Sequence, residues 1–299
     1  MDSVLITGGS GFVGLKLASL LKGNYSVYIA CKTYDDSLLR FGEYVSLDIR
    51  DANEVRRIVT EIRPTAVVHA AALTNVNDCA RYREKAFAIN VTGTENVSRS
   101  AEEVNARVVY LSTDLVFDGK QSFYTEEDEP NPVCYYGVTK LHGEHIIASL
   151  NSNYCIARPG LIFGKSIGSS TCFAETMADR LQKHQEIRLF NDEFRTPVYL
   201  DNVCALIGEL LARNELRGIY HLCGSERISR YDFGLKLAGI FGLDPSCIVA
   251  SSLQEYPFAD VRPADCSMNN QKAFTTLNTK AMTIDEGLYD MAEKITFKP

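Results

Sequence analysis

The stretch SVLITGGSGFVGLKLASLL, residues 3–21, decides the fold. A short apolar strand runs into a glycine-rich turn, and a helix-like run from Val13 to Leu21 follows. The turn satisfies GxGxxG through Gly9, Gly11 and Gly14, and GxxGxxG through Gly8, Gly11 and Gly14. Small residues there let the backbone approach a pyrophosphate at a helix N-terminus, where free N–H groups and the helix dipole favour anions. A tight turn alone does not need three glycines at this spacing. The unit predicts a dinucleotide site that includes Gly8, Gly11, Phe12, Val13 and Gly14.

Outward from that unit, short apolar runs alternate with helix-like stretches through the first 160 residues. YSVYIA, EYVSL, AVVHA, RVVYLS and YCIARP read as strands. A helix opens at DANE, where Asp51 caps and Glu54 closes a capping box. It stops near Arg63, because Pro64 disfavours helical geometry in the residue before it. Further helices are expected around Asn90 to Val104 and around Tyr136. Continuous apolar runs mean strands buried on both faces, so the fold class is α/β, a doubly wound parallel sheet of Rossmann type.

Beyond Phe163 the rhythm breaks. GKSIGSST reads as a flexible loop, Phe173 to Lys183 as a helix and GIYHLC as one further strand. The last 75 residues read as helices and loops with little strand signal. The expected division gives residues 1–162 with 195–224 to dinucleotide binding. Residues 163–194 with 225–299 then form a smaller substrate-binding region over the sheet's carboxyl edge.

Length and composition are those of a globular chain with a substantial core: 299 residues, 45% hydrophobic and 23% charged. A net charge of −7 argues against a general binder of nucleic acid or membrane surfaces. The nine cysteines have no CxxC spacing, which suggests neither a zinc site nor a disulfide framework and fits a reducing cytoplasm. The start VLIT carries no leader pattern, and no apolar run approaches 18 residues, so the chain reads as cytoplasmic.

The residues TGGSGFVG, LDIRD, VVHAAA, AINVTGTENV, YLSTDLVFDG, YYGVTKLHGE, ARPGLIFG and RTPVYLDNV together resemble the extended short-chain dehydrogenase/reductase family along the whole chain. Within it, STDLVFDG followed by RPADCSMNNQK is most similar to the dTDP-4-dehydrorhamnose reductases and their relatives. Two adjacent tyrosines compete for the catalytic role, and spacing chooses between them. Tyr136 and Lys140 are four apart and share one helix face, whereas Tyr135 would pair with the uncharged Thr139. A phenol near pKa 10 needs a nearby ammonium to act at neutral pH, and Lys140 supplies one. Thr113, at the end of the fifth strand, completes the expected triad of Thr113, Tyr136 and Lys140.

The resemblance also implies cofactor roles for Asp48 and Ile49 at the adenine, for Ala70, Ala71 and Ala72 along the cofactor path, and for Pro159 in the RPG loop at the nicotinamide. At the adenosine ribose, Asp35 and Asp36 suit NAD(H), whereas the nearer Lys32 and Thr33 suit a 2′-phosphate. NADP(H) is favoured over NAD(H), which stays open. Thr113, Asp114, Arg195 and Arg262 are the substrate candidates, with Arg262 read either as a solubilising residue or as part of a diphosphate clamp. His142 and His145 have metal-compatible spacing without a third ligand, so no metal is expected, and TEEDEP reads as a solvated loop.

The sugar 4,6-dehydratases of the family carry an acid where this chain has Leu115, which speaks against dehydration, and the rhamnose-precursor reductases usually carry a Tyr there. The resemblance thus implies NAD(P)H-dependent reduction of a nucleotide-linked 4-keto sugar. Its alternatives are an epimerase with tightly held NAD and a regulatory subunit similar to the beta subunit of methionine adenosyltransferase. The implied partner is a nucleotide sugar, with homodimer assembly left open.

Overall fold

Alternation along Ser3–Thr7 sets the layers: Val4 and Ile6 enter one apolar cluster, and Leu5 enters the cluster on the opposite face. The computed structural model describes residues 1–33 and 36–295; Asp35 lies outside them, as does the side chain of Asp36. The strands in chain order are β1 (Ser3–Thr7), β2 (Ser26–Cys31), β3 (Glu43–Ser46), β4 (Ala66–His69), β5 (Arg107–Leu111) and β6 (Tyr154–Pro159). There follow β7 (Ile162–Phe163), β8 (Ile187–Phe190), β9 (Phe194–Arg195), β10 (Val198–Tyr199), β11 (Gly218–Leu222), β12 (Ile228–Ser229) and β13 (Ile248–Ser251).

Seven strands form one parallel sheet in the order β11-β6-β5-β4-β1-β2-β3. Strand order reverses between β1 and β4, and in such sheets ligands bind at the carboxyl ends beside that switch point. Helices α1 (Phe12–Leu21), α2 (Ala52–Ile62), α3 (Val76–Arg81), α4 (Arg83–Phe87), α5 (Gly93–Glu103), α6 (Tyr135–Leu150), α7 (Phe173–Gln182), α8 (Leu200–Ala212), α9 (Arg230–Phe241), α10 (Gln271–Thr276) and α11 (Ile284–Lys294) complete the chain. Leu15 and Leu17 of α1 and Leu206 and Leu210 of α8 cover one face of the sheet. Val55 of α2, Val97 of α5 and Ile147 of α6 cover the other. Among the described residues no helix is long and apolar enough to cross a membrane.

Several expectations need correction. Asp51 caps α2 by accepting from the N–H groups of Asn53 and Glu54 (3.0 and 3.1 Å), but Glu54 does not close the box. Its carboxylate reaches instead to the Asp48 N–H at 2.9 Å, tying the helix start to the end of β3. The helix expected around Asn90 to Val104 begins earlier, as α4, and passes through a π turn over Ala88–Thr92 before α5. The C-terminal region is richer in strand than its sequence suggests. β13 pairs in parallel with β8, and β12 pairs antiparallel with β9. An apolar cluster including Phe163, Leu181, Phe233 and Leu288 holds this region together.

The acidic run 125–130 is not simply solvated. Strand β11 lies at the sheet edge and leaves backbone groups to be satisfied. The Glu126 carboxylate accepts from the His221 N–H at 2.8 Å, and Lys272 donates to the Ile219 carbonyl at 2.7 Å. Edge closure is the work of these two charged side chains.

Beneath the switch point, His69 bridges Thr7 of β1 (2.6 Å) and Thr94 of α5 (3.0 Å) and stacks on Tyr110. Burial, then the charge on Lys140, holds its imidazole down at about 3. His221 is likewise held at about 3 by burial and then by Arg158. An unfolded histidine protonates near pH 6.5. Stability is therefore full above that pH and falls as the pH drops towards about 3, because the unfolded chain binds the extra protons. By linkage each histidine contributes a loss on the order of 2 kcal/mol between pH 7 and about pH 5. In urea unfolding at those two pH values, His69→Gln should lose less stability than the wild-type chain. Equal losses would remove His69 from the account.

Candidate active site

The carboxyl ends of β1, β2 and β4 border a cleft of about 560 Å³. Gly8, Lys32, Asp48, Ile49, Ala71 and Ala72 line it, all of them cofactor candidates from the sequence. Gly8 has φ +68°, and a Cβ there would lie 2.7 Å from the Ala71 Cα. The turn is thus pressed onto the chain leaving β4, and only glycine fits. Gly11 is the N-cap of α1 and offers no side-chain cap, while Phe12, Val13 and Gly14 form the first helical turn. Such a helix start, with its N–H groups uncapped by side chains, suits a pyrophosphate. Ala70 precedes the lining pair Ala71–Ala72, and Pro159 ends β6; neither is among the residues lining this cleft.

Arg50 and Lys85 line the same cleft and were missed in the sequence. Arg50 grips Asp48 through Nη2 (2.6 Å) and Nε (2.9 Å), and Lys32 approaches the same carboxylate at 2.9 Å. Arg50, more than Lys32, holds the Asp48 carboxyl well below the usual range. Among the described residues lining the cleft, three cations stand against one carboxylate. LDIRD carried the signal, since Arg50 lies two residues beyond Asp48.

Tyr136, Lys140 and Thr113 are all buried, at 8, 2 and 7% exposure. Tyr136 and Lys140 project from α6, and Thr113 follows β5. Thr113 donates to the Asp114 carboxylate at 3.1 Å and accepts from the Leu115 N–H at 3.2 Å. Burial, then Asp114, pushes the Tyr136 phenol above its ordinary value, while a hydrogen bond with Thr113 acts the other way. Lys140, expected to lower it, is not among the groups that act on it in this structure. Burial pulls the Lys140 ammonium down to about 7, opposed by Glu144. Lys140 lies 4.0 Å from the centroid of the Tyr110 ring, a cation–π contact with a desolvated partner.

Tyr135 is only half-buried and lies against Arg83, 4.8 Å from guanidinium to ring centroid. Its N–H donates to Asp260 at 2.7 Å, which ties loop 256–262 to the start of α6.

Beneath the triad, Glu144 pairs with Arg158 (2.6 and 2.9 Å) and accepts from Ser112. Asn90, in the π turn, accepts from the Leu73 N–H (2.8 Å) and donates to the Leu73 carbonyl (3.0 Å) and to Thr139 (2.9 Å). It fixes the loop after β4 against α6. Sequence reading missed both Glu144 and Asn90, although YYGVTKLHGE and AINVTGTENV contain them.

On the substrate side, Asp114 is buried, and burial pushes its carboxyl up. Arg195, expected at the substrate, is 4% exposed, and its guanidinium meets Asp114 (3.5 Å), Glu193 (2.9 Å) and the carbonyls of Phe194 and Pro263. All three of its nitrogens face protein groups. Arg262 donates to Asn77 at 3.1 Å and lies over Phe258. Leu115 packs among Cys134, Val116 and Phe117, where a charged acid would be desolvated. Among the described residues, His142 and His145 belong to no group of three ligating side chains; His184, after α7, with Asp244 and Cys247, after α9, form the one such group.

The family description "RmlD substrate binding domain" matches residues 1–297. A dTDP-4-dehydrorhamnose reductase of Aggregatibacter actinomycetemcomitans is 30% identical, over 91% of this chain and 92% of its own. Methionine adenosyltransferase 2 subunit beta of Xenopus tropicalis is also 30% identical, over 88% of this chain and 80% of its own. The crystal structure of a dTDP-4-dehydrorhamnose reductase from Bacillus anthracis, in complex with NADP, superposes with a TM-score of 0.88 at 28% identity. That match covers 99% of this chain and all of the other. The glycine turn, the buried triad and these likenesses place the chain in the RmlD substrate binding domain family, within the short-chain dehydrogenase/reductase-like superfamily.

Proposed function

We propose that this chain is an NAD(P)H-dependent reductase of a nucleotide-linked 4-keto sugar, of the dTDP-4-dehydrorhamnose reductase kind. The observation that carries the reading is a buried Tyr136 on α6, one turn before a buried Lys140 and beside a buried Thr113, with a glycine-lined cleft at the carboxyl ends of the same sheet. When bound, the nicotinamide cofactor supplies a hydride. Gly8, Gly11, Phe12, Val13 and Gly14 take its pyrophosphate, Asp48 and Ile49 its adenine end, and Ala70, Ala71, Ala72 and Pro159 flank its path. Thr113 orients the substrate carbonyl oxygen, and Tyr136 delivers the proton to it. A phenol held above its usual pKa is a poor base but keeps the proton a donor needs. Lys140 steadies the phenolate left behind. Residues 163–194 with 225–299 hold the nucleotide sugar, Arg262 among them.

The rim of Lys32, Arg50 and Lys85 supports NADP(H) over NAD(H), because a 2′-phosphate adds the negative charge these cations lack. A second reading, a regulatory subunit without turnover, is favoured by the 30% identity to the methionine adenosyltransferase subunit.

Steady-state reduction of dTDP-4-dehydrorhamnose decides between them. Tyr136→Phe should leave NADPH binding nearly intact and cut turnover by about 10²–10⁴-fold, the usual contribution of general acid catalysis. Tyr135→Phe should keep most activity. Equal rates for wild type and Tyr136→Phe, or none in either, would give the lead to the regulatory reading. Stoichiometric release of NADP⁺ with each turnover would separate reduction from epimerisation.

Fluorescence titration should show NADPH bound more tightly than NADH, with the order reversed in Lys32→Asp/Arg50→Ala. A strong NADH preference in the wild-type chain would sink the NADP assignment and leave the fold untouched.

A further inference from the structure

Arg230 opens α9, and its Nη1 is the one buried side-chain nitrogen or oxygen without a hydrogen-bond partner among the described residues. Its neighbours hold the guanidinium without satisfying it. Nε stands 3.5 Å from Glu193, and the guanidinium lies 4.3 Å from the centroid of the Phe173 ring. Glu193 is already engaged with Arg195 at 2.9 Å. Nearby Arg227 shows what a purely structural arginine looks like here. It pairs with Asp265 at 2.7 Å and covers the Phe194 ring at 3.6 Å.

Position gives the orphan nitrogen a use. Contacts run from Thr113 to Asp114 (3.1 Å), Arg195 (3.5 Å), Glu193 (2.9 Å) and finally Arg230 (3.5 Å). Arg262 also bears electrostatically on Arg230. Arg195, Arg227, Arg230 and Arg262 therefore share Asp114, Glu193, Asp260 and Asp265, and burial opposes the ionisation of Asp114. These acceptors leave the Arg230 Nη1 donor over, and an oxyanion would accept from it. Arginine suits that task because it stays charged when partly desolvated and presents a planar fork, which a ring beneath it keeps in one orientation.

We infer that Arg230 is a specificity-determining residue that contacts an oxyanion of the substrate through its free Nη1. Resting on the nucleotide-sugar reading, the inference leaves two sources for that oxyanion: the diphosphate or a carboxylate carried by the sugar. Arg195, turned wholly inward, acts as a positioning residue that carries Glu193.

Calorimetric titration of the full chain tests this with inorganic pyrophosphate, dTDP, UDP-glucose and UDP-glucuronate, and with NADPH as the control. Arg230→Met should weaken oxyanion binding by about 10- to 100-fold, the range for a charged hydrogen bond. Arg230→Lys should recover part of it, and NADPH binding and the thermal midpoint should hold in both. Should the Met variant fold poorly, Arg230→Gln keeps a planar polar group, shorter than the guanidinium and without its charge. Equal losses for UDP-glucose and UDP-glucuronate assign the diphosphate, and a loss confined to UDP-glucuronate assigns the sugar carboxylate. Arg230-dependent binding of pyrophosphate without any nucleotide binding keeps the site but ends the nucleotide-sugar reading. Nucleotide binding unchanged in Arg230→Met overturns the inference and spares that reading, and a wild-type chain that binds none of the oxyanions overturns it outright.

Discussion

One buried ion pair holds β5, β6 and α6 in register. Glu144 and Arg158 are 3 and 1% exposed, and breaking such a pair strands a charge in the interior at a cost of about 3–5 kcal/mol. Each member sits next to a position proposed for the reaction or the cofactor. Ser112, which donates to Glu144, precedes Thr113; Glu144 lies one turn beyond Lys140; Arg158 precedes Pro159. The pair thus joins the ends of β5 and β6 to the middle of α6 with strongly directional bonds. Apolar packing alone would allow α6 to slide or rotate slightly, and a Tyr–Lys pair displaced by even 1 Å loses its geometry.

The same pair sets the electrostatics of Lys140. Burial alone drives a lysine towards neutrality, and here it brings the ammonium to about 7. Glu144 opposes that fall, and the Tyr110 ring offers its negative face to the cation. Tyr110 is itself braced from behind by His69, which burial keeps neutral. A charged His69 would stand against Lys140 and depress it further. Thr7 and Thr94 instead give the imidazole partners that suit its neutral form. The proposed cofactor cleft and the proposed proton donor are thereby linked, since the threonine that ends β1 and the lysine of α6 reach the same aromatic stack.

Sequence reading succeeded where local chemistry determines structure. The strand–glycine turn–helix at residues 3–21 and the Pro64 stop of α2 were legible because backbone conformation and terminal hydrogen bonds are decided within a few residues. Tyr136 was separable from Tyr135 by helical spacing, and the structure buries the first while laying the second against Arg83. It failed where a partner lies far along the chain. Glu54 follows the capping-box pattern, yet a backbone N–H at Asp48 competes for it successfully. Glu126 looked like one acid in a solvated run, because the strand edge that it closes is 95 residues away. Strands of two to four residues, such as β12 and β13, are too short for a period-2 pattern to register.

Arginine illustrates the limit most clearly. From sequence, Arg195 and Arg262 were substrate candidates because both lie in motifs with a family likeness, while Arg230 carried no mark at all. A guanidinium has five donors, and its role depends on which of them the fold leaves over. Folding directs Arg195 to four protein acceptors and binds Arg227 to Asp265. Arg230 keeps a donor without a partner because Glu193 is shared between two arginines and cannot satisfy both fully. Such a shortage of acceptors belongs to the tertiary arrangement, and no spacing rule along the chain encodes it. It also destabilises the chain unless something else accepts the bond, so an unmet donor beside Glu193, whose partner Arg195 reaches Asp114, is informative. The residue that bears the cost of an unmet hydrogen bond is the one through which a substrate gains the most by binding.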